Sequence, residues 1–249
     1  MLARVLTALW KTILILALLI VVWFAIARIS GLNRTLFPEP QDVLGAAMSN
    51  FSELCTATLI TAEGAFLGFL LGNAVGLLLA IVVARSVLAS RLVLPLAVMV
   101  RVVPIIALAP LLTLVLGEGL ATVATISALL VFFPTLVNSI LGLRSVGQDQ
   151  LDMMKMANAS PWQVFLMLRL PAALPSFFAA LRVAAGASVL GALLAEWVAS
   201  GGGLGYLILQ CSLTFQIALM WAAVIICAIL AVGAAAVTAA VGRRVVTWV

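Results

Sequence analysis

The 249-residue chain has no histidine, three cysteines and charged side chains at only 8% of its positions. Without histidine there is no imidazole to ligate zinc or to serve as general base beside a nucleophile. Cys55, Cys211 and Cys227 are odd in number, lie in apolar settings and lack metal-ligand spacing, so they read as packing residues. No G-x-x-x-x-G-K-[ST] phosphate loop, no nucleophile elbow and no paired catalytic carboxylates at helical spacing occur. A chain with this inventory cannot hydrolyse ATP itself and offers no evident catalytic centre. The scarcity of charge also excludes an ordinary soluble domain.

What is present is apolar sequence: 66% of residues are hydrophobic and the mean hydropathy is +1.34. Several runs exceed the roughly 20 apolar residues that cross a bilayer. The expected architecture is an all-α integral membrane protein with six crossings, near residues 12–29, 54–84, 92–116, 120–143, 176–200 and 215–241. The first run is long and no convincing small-x-small cleavage site follows it, so it is expected to be a crossing rather than a cleaved signal. Arg4, Lys11, Arg85, Arg91, Arg144, Lys155, Arg169, Arg243 and Arg244 fall on one side of this topology, against Arg28 and Arg34 in the loops of the other. The positive-inside rule then puts both termini and residues 149–175 in the cytoplasm. The net charge of +5 follows from that rule and carries no nucleic-acid footprint.

Residues 149–175, DQLDMMKMANASPWQVFLMLRLPAALP, are the longest stretch the bilayer cannot hold. Ser160 is a good N-cap, Pro161 suits the first helical position and Gln163 completes a capping box, which predicts a helix from Pro161 until Pro171 stops it. Upstream, residues 148–157 form a second short helix, and Asn158 stands where a residue with positive φ is wanted. Helices this short are marginal in water, and the pair exposes Met153, Met154, Met156, Trp162, Phe165 and Met167. Such a surface requires a partner.

Elsewhere, Gly64, Gly68, Gly72 and Gly76 form an i,i+4 ladder that permits close helix approach, within the subunit or across a dimer. Glu63 in the same crossing is either a functional group or a residue bonded near the interface. Pro95, Pro104 and Pro110 should kink or break the third crossing, which makes it a candidate to line a path. Arg101, just before Pro104, is either a counter-charge for an oxyanion or a snorkelling or ion-paired residue. Asn138 is expected to hydrogen-bond between helices, with the path as the alternative. Residues 43–51 read as a short surface helix or a plain linker.

Several of these residues resemble the permease subunits of type I ATP-binding-cassette importers, whose cytoplasmic loop carries E-A-A, three residues, Gly, nine residues and I-x-L-P. Asp152-Met153-Met154, Asn158 and Leu168-Arg169-Leu170-Pro171 keep that register, with Asp for Glu, Met-Met for Ala-Ala and Asn for Gly. Ala159, Ser160, Trp162, Gln163 and Phe165 match the A-S-x-W-Q-x-F that accompanies it. The run P-I-I-A-L-A-P-L ending in G-E-G resembles the branch that imports nitrate, sulfonates, taurine and thiamine or flavin precursors. Ala195-Glu196 and Gly203-Leu204-Gly205-Tyr206 match the family's A-E and G-L-G-Y.

The resemblance implies a single transmembrane permease domain over 1–249, with an extra N-terminal helix near 9–29, a core near 54–241 and a coupling loop near 144–173. It implies that Asp152, Met153, Met154, Asn158, Ala159, Ser160, Gln163 and Pro171 couple to a cytoplasmic ATPase. The translocation-path candidates are Arg101, Glu63, Asn138 and Glu196, and Gly203, Leu204 and Gly205 form an outer loop facing a periplasmic or lipid-anchored solute-binding protein. A second permease subunit, expected to make a homodimer, completes the path for a small solute, with an organic or inorganic anion as one expectation. ATP and Mg2+ would belong to the ATPase, and no cofactor to this chain. The location implied is the bacterial inner membrane. The rival class, a secondary transporter, would ordinarily show inverted repeats, and none is evident.

Overall fold

The computed structural model describes Leu14, Leu18 and residues 21–28, 36–199 and 201–248, apart from the side chains of Val87, Val100 and Arg101. Part of the expected first crossing, 12–13, 15–17, 19–20 and 29, therefore lies outside the described residues. The elements are α1 (Pro40–Ser49), α2 (Phe51–Arg85), α3 (Val87–Val102), α4 (Ile105–Leu116), α5 (Leu120–Leu143), α6 (Gln148–Met156), α7 (Pro161–Val164), a π-helical turn (Phe165–Arg169), α8 (Leu170–Ala199), α9 (Leu204–Leu213) and α10 (Ile217–Val245). No strand occurs among the described residues.

Among the described residues, four stretches are long and apolar enough to cross a membrane: Phe51–Arg85, Leu120–Leu143, Pro161–Ala199 and Ile217–Val245. The expected third crossing is divided instead. Val103 is extended (φ −65°, ψ 127°), as a residue before proline is pushed to be, and Pro104 starts α4, while Pro95 and Pro110 stay inside helices. Residues expected as a short surface helix or a linker form the helix α1.

The chain groups into two compact units, Met1–Cys55 with Leu207–Ile225 and Thr56–Tyr206 with Ile226–Val249. In the first, Trp23 stacks on Trp221 at 5.4 Å between ring centroids, Phe37 meets the same indole edge-on at 5.3 Å, and Trp23 Nε1 donates to the Pro38 carbonyl at 3.2 Å. Arg28 pairs with Glu39 at 3.8 Å.

The second unit is built around α5. The four glycines of α2 face it within the subunit: a Cβ on Gly72 would lie 2.5 Å from the Ala128 carbonyl, and one on Gly76 3.0 Å from that of Phe132. Absence of those methyl groups is what lets the two backbones approach. On the other side, a Cβ on Gly191 of α8 would lie 2.7 Å from Ser127 Cα, and Ser127 Oγ donates to the Ser188 carbonyl at 2.7 Å. Thr135 Oγ1 donates to Asn73 Oδ1 at 2.6 Å, a buried bond between α5 and α2. In a bilayer such bonds and close contacts supply the association that apolar burial supplies in water.

Candidate functional site

Between α5 and α8 the chain makes two short helices around a tight turn. Asn158 at the turn has φ 51°, the left-handed conformation for which Asn is suited after Gly. The turn is closed by Asn158 N–H to the Lys155 carbonyl (2.9 Å) and Ala159 N–H to that of Met154 (3.0 Å). On its far side Ser160 Oγ accepts from Gln163 N–H at 3.3 Å, and Gln163 Oε1 accepts from Ser160 N–H at 2.7 Å. These local bonds define the bend without tertiary help. On α6, Lys155 Nζ lies 2.8 Å from Asp152 Oδ1; its hydrogen bond, reinforced by its charge, holds the Asp152 carboxyl below the ordinary carboxylate range.

The expected stop at Pro171 does not occur. The helix widens at Phe165–Arg169, where Leu170 N–H reaches back five residues to the Phe165 carbonyl, and Pro171 then lies inside the next helix. A proline lacks the N–H of the normal ladder and crowds the carbonyl four residues earlier, and a π-turn just before it relieves both conflicts. The second arm of the bend is therefore continuous with the span α8.

Phe165 also differs from expectation. Rather than being exposed, it is only 8% accessible and packs with Ala80, Val83, Leu136, Ile140 and Leu143. Met154 is half-buried, while Met153, Met156, Trp162 and Met167 remain exposed. Three arginines tie this region to the end of α2: Arg144 Nη2 donates to the Val83 carbonyl (3.2 Å), Arg169 Nη1 to that of Ala84 (3.5 Å), and the Arg85 guanidinium lies over the rings of Phe165 (4.4 Å) and Trp162 (5.1 Å). Cations at a helix C-terminus meet its unpaired carbonyls and its dipole. These contacts fasten α7, the π-turn and the end of α5 to the end of α2.

At the C-terminal end of α8, Glu196 is fully buried. Its Oε2 accepts from Thr61 Oγ1 (3.0 Å) and Gly205 N–H (2.7 Å), and Thr61 Oγ1 in turn accepts from Leu204 N–H (2.8 Å). Gly203 has φ 98°, and a Cβ there would collide with the Glu196 carboxyl. Glu196 therefore holds the Gly203-Leu204-Gly205 turn and the start of α9.

The remaining residues are dispersed. Asn138 donates to the carbonyl of Pro134 in its own helix at 2.8 Å. Glu63 is exposed on α2 and borders a cleft of about 680 Å³ between α2, α8 and α10, whose walls include Phe66, Phe69, Ser188 and Thr238. Arg101 has its backbone in the last turn of α3, and its side chain lies outside the described residues. Sequence reasoning missed the tertiary bonds of Thr61, Asn73 and Arg144, whose partners lie 54 to 143 residues away.

Residues 72–247, which include α5, the bent pair and the Glu196 turn, match the family described as the binding-protein-dependent transport system inner membrane component. The chain belongs to this family of transport permeases. The permease is 37% identical over 216 residues to a probable ABC transporter permease protein of Haemophilus influenzae, covering 87% of this chain and 88% of that one. It is 33% identical over 191 residues to the formylaminopyrimidine transport permease of Halalkalibacterium halodurans (76% of each chain). It is 29% identical over 225 residues to a putative aliphatic sulfonates transport permease of Bacillus subtilis, covering 88% and 80%. The permease is a multi-pass membrane protein and a transport component of an ABC importer, not an enzyme. Its family works with an ATPase and a solute-binding protein.

Proposed function

We propose that residues 148–170 are the coupling element of this permease, gripped by the cytoplasmic ATPase through α6 and α7. The observation that carries this reading is the bent pair at Asn158, exposed on its Met153, Met156 and Trp162 side and fastened by Phe165 and three arginines to the ends of the spans. Asp152, Met153, Met154, Asn158, Ala159, Ser160, Gln163 and Pro171 belong to it. Both termini lie on the same cytoplasmic side of a bacterial inner membrane, and six crossings result when 12–29 and the broken α3–α4 stretch are counted as one crossing each. The whole of 1–249 acts as one permease domain.

A second copy of the subunit completes the path; the apolar stretch of α10 is only 6% buried, which leaves a face for that copy and for lipid. The binding protein delivers solute at the Gly203-Leu204-Gly205 turn. ATP and Mg2+ act in the ATPase, whose closure draws paired coupling elements together and turns the spans from inward-open to outward-open. Arg101 and Glu63 are the path residues, with Asn138 and Glu196 acting as supports within and at the end of their helices.

Among solutes, the Glu63 cleft favours one that donates hydrogen bonds from a flat ring. Its carboxylate has no bonded partner among the described residues, and Phe66 and Phe69 stand beside it. Of the substrates in the relatives' names, formylaminopyrimidine has that character and an aliphatic sulfonate does not. The test is uptake by the reconstituted permease, ATPase and binding protein. Asp152→Arg or Met154→Arg should leave the permease in the membrane yet detach the ATPase or uncouple hydrolysis from uptake. Undiminished coupled uptake would contradict the assignment.

A further inference from the structure

Against the bent pair lies a pocket of about 760 Å³. Its walls include Arg85, Lys155, Trp162, Phe165 and Arg169, and no carboxylate lines it. Lys155 is engaged by Asp152 at 2.8 Å and Arg169 makes one long bond to Ala84. Arg85 differs: its guanidinium carbon sits over the Phe165 ring at 4.4 Å and the Trp162 ring at 5.1 Å, and none of its five N–H donors is bonded among the described residues. Those unbonded donors form the fork that fits a phosphate through two parallel hydrogen bonds.

The position narrows the source of the phosphate. Arg85 closes a 35-residue apolar helix, so the pocket lies where a span meets the headgroups. Exposed Leu166 and Met167 follow Phe165 in the π-turn, and exposed Leu88 and Leu92 follow Arg85 in α3, giving apolar surface for acyl chains beside the basic cluster. Aromatic rings beside the cations suit the same interface, and basic pockets between helix ends on the cytoplasmic side are a known way of holding anionic lipid.

We propose that this pocket holds the phosphate of an anionic phospholipid headgroup, seated on the Arg85 fork with Arg169 and Lys155 around it. Lipid charge would then stiffen the joint between the bent pair and α2. The inference rests on the coupling reading for the leaflet involved; the binding itself does not.

The permease, without its ATPase, is placed in nanodiscs of phosphatidylcholine or of phosphatidylcholine with phosphatidylglycerol, and retained lipid is measured by native mass spectrometry after release. The wild type should retain phosphatidylglycerol in preference to phosphatidylcholine. Arg85→Gln should lower that preference about tenfold, the loss expected from one charged hydrogen-bonding group. Arg85→Lys, which keeps charge without the fork, should fall between and controls for misfolding. Equal retention by wild type and Arg85→Gln, or no preference in the wild type, would overturn the proposal. Inorganic phosphate that binds alone and displaces phosphatidylglycerol would make the pocket a soluble-anion site and equally overturn it. ATPase recruitment, measured separately on the full transporter, distinguishes a failure of the coupling reading from a failure of this one.

Discussion

Removing the Phe165 ring should free the bent pair from the spans while the spans stay assembled. Phe165 is 8% accessible and packs against Val83 of α2 and Leu136, Ile140 and Leu143 of α5. Truncating a buried phenylalanine to alanine costs about 3 to 5 kcal/mol. The lost ring also supports the Arg85 guanidinium at 4.4 Å, adding roughly 0.5 to 1 kcal/mol. That total falls on helices that are marginal by themselves, whereas α2 and α5 are still held by the glycine ladder and the Asn73–Thr135 bond. About 4 kcal/mol is roughly a thousandfold in the fraction of time the pair is undocked. In proteoliposomes with ATPase and binding protein, Phe165→Ala should raise ATP hydrolysed per solute imported and open the Arg169 bond to trypsin, with little change in the thermal midpoint of the spans. Phe165→Leu, which keeps an apolar side chain at the site, should cost less than Phe165→Ala and lie between it and the wild type in coupling ratio. If Phe165→Ala kept its coupling ratio, or lost coupling only in step with global unfolding, Phe165 would be ordinary core rather than an anchor.

Gly72→Ala should destabilise the second unit, because its Cβ would lie 2.5 Å from the Ala128 carbonyl and 2.8 Å from Val131 Cβ; a cost of about 1 to 3 kcal/mol, read by thermal unfolding in nanodiscs, is expected from such overpacking. Glu196→Ala leaves Thr61 and Gly205 N–H without their acceptor and should cost about 1 to 3 kcal/mol per unsatisfied group, while Glu196→Gln, which keeps one carbonyl oxygen, should cost less; equal losses would contradict the role given to Oε2. The Asp152 carboxyl lies below its ordinary range because of Lys155, so what the pair contributes is present above the unfolded value and is lost only as pH falls through the lower folded one. Asp152→Asn should therefore leave the shape of the hydrolysis–pH profile unchanged between about pH 5 and 8, and a shifted midpoint in that range would refute this. Glu63→Gln should weaken uptake of an N–H-donating heterocycle more than it lowers stability, and unchanged transport would remove Glu63 from the path.

The parts of this structure legible in the sequence are those that local chemistry decides. The bend needs only Asn158, Ser160, Pro161 and Gln163, and all four act within three residues of themselves. The break before Pro104 is likewise a property of the residue preceding a proline. Pro171 obeyed the same rule less simply, since a π-turn offered the backbone a second way to accommodate it. The partner of the glycine ladder was hidden by distance along the chain, although Val123, Ser127, Val131 and Thr135, spaced by four on α5, carry the matching face. Phe165 looked like a surface residue because α7 alone could not reveal that α2 and α5 end beside it. Glu196 has one near partner, Gly205 nine residues on, but the other, Thr61, lies 135 residues away and could not be read from the sequence.

The central claim is that the bent pair is what the ATPase grips. A photo-crosslinking amino acid at Met156, which is 82% accessible at the end of α6, tests it in the assembled, transporting complex. The account predicts a crosslink to the ATPase whose yield changes when ATP binds. Crosslinks confined to lipid, or none in a complex that still imports solute, would contradict it.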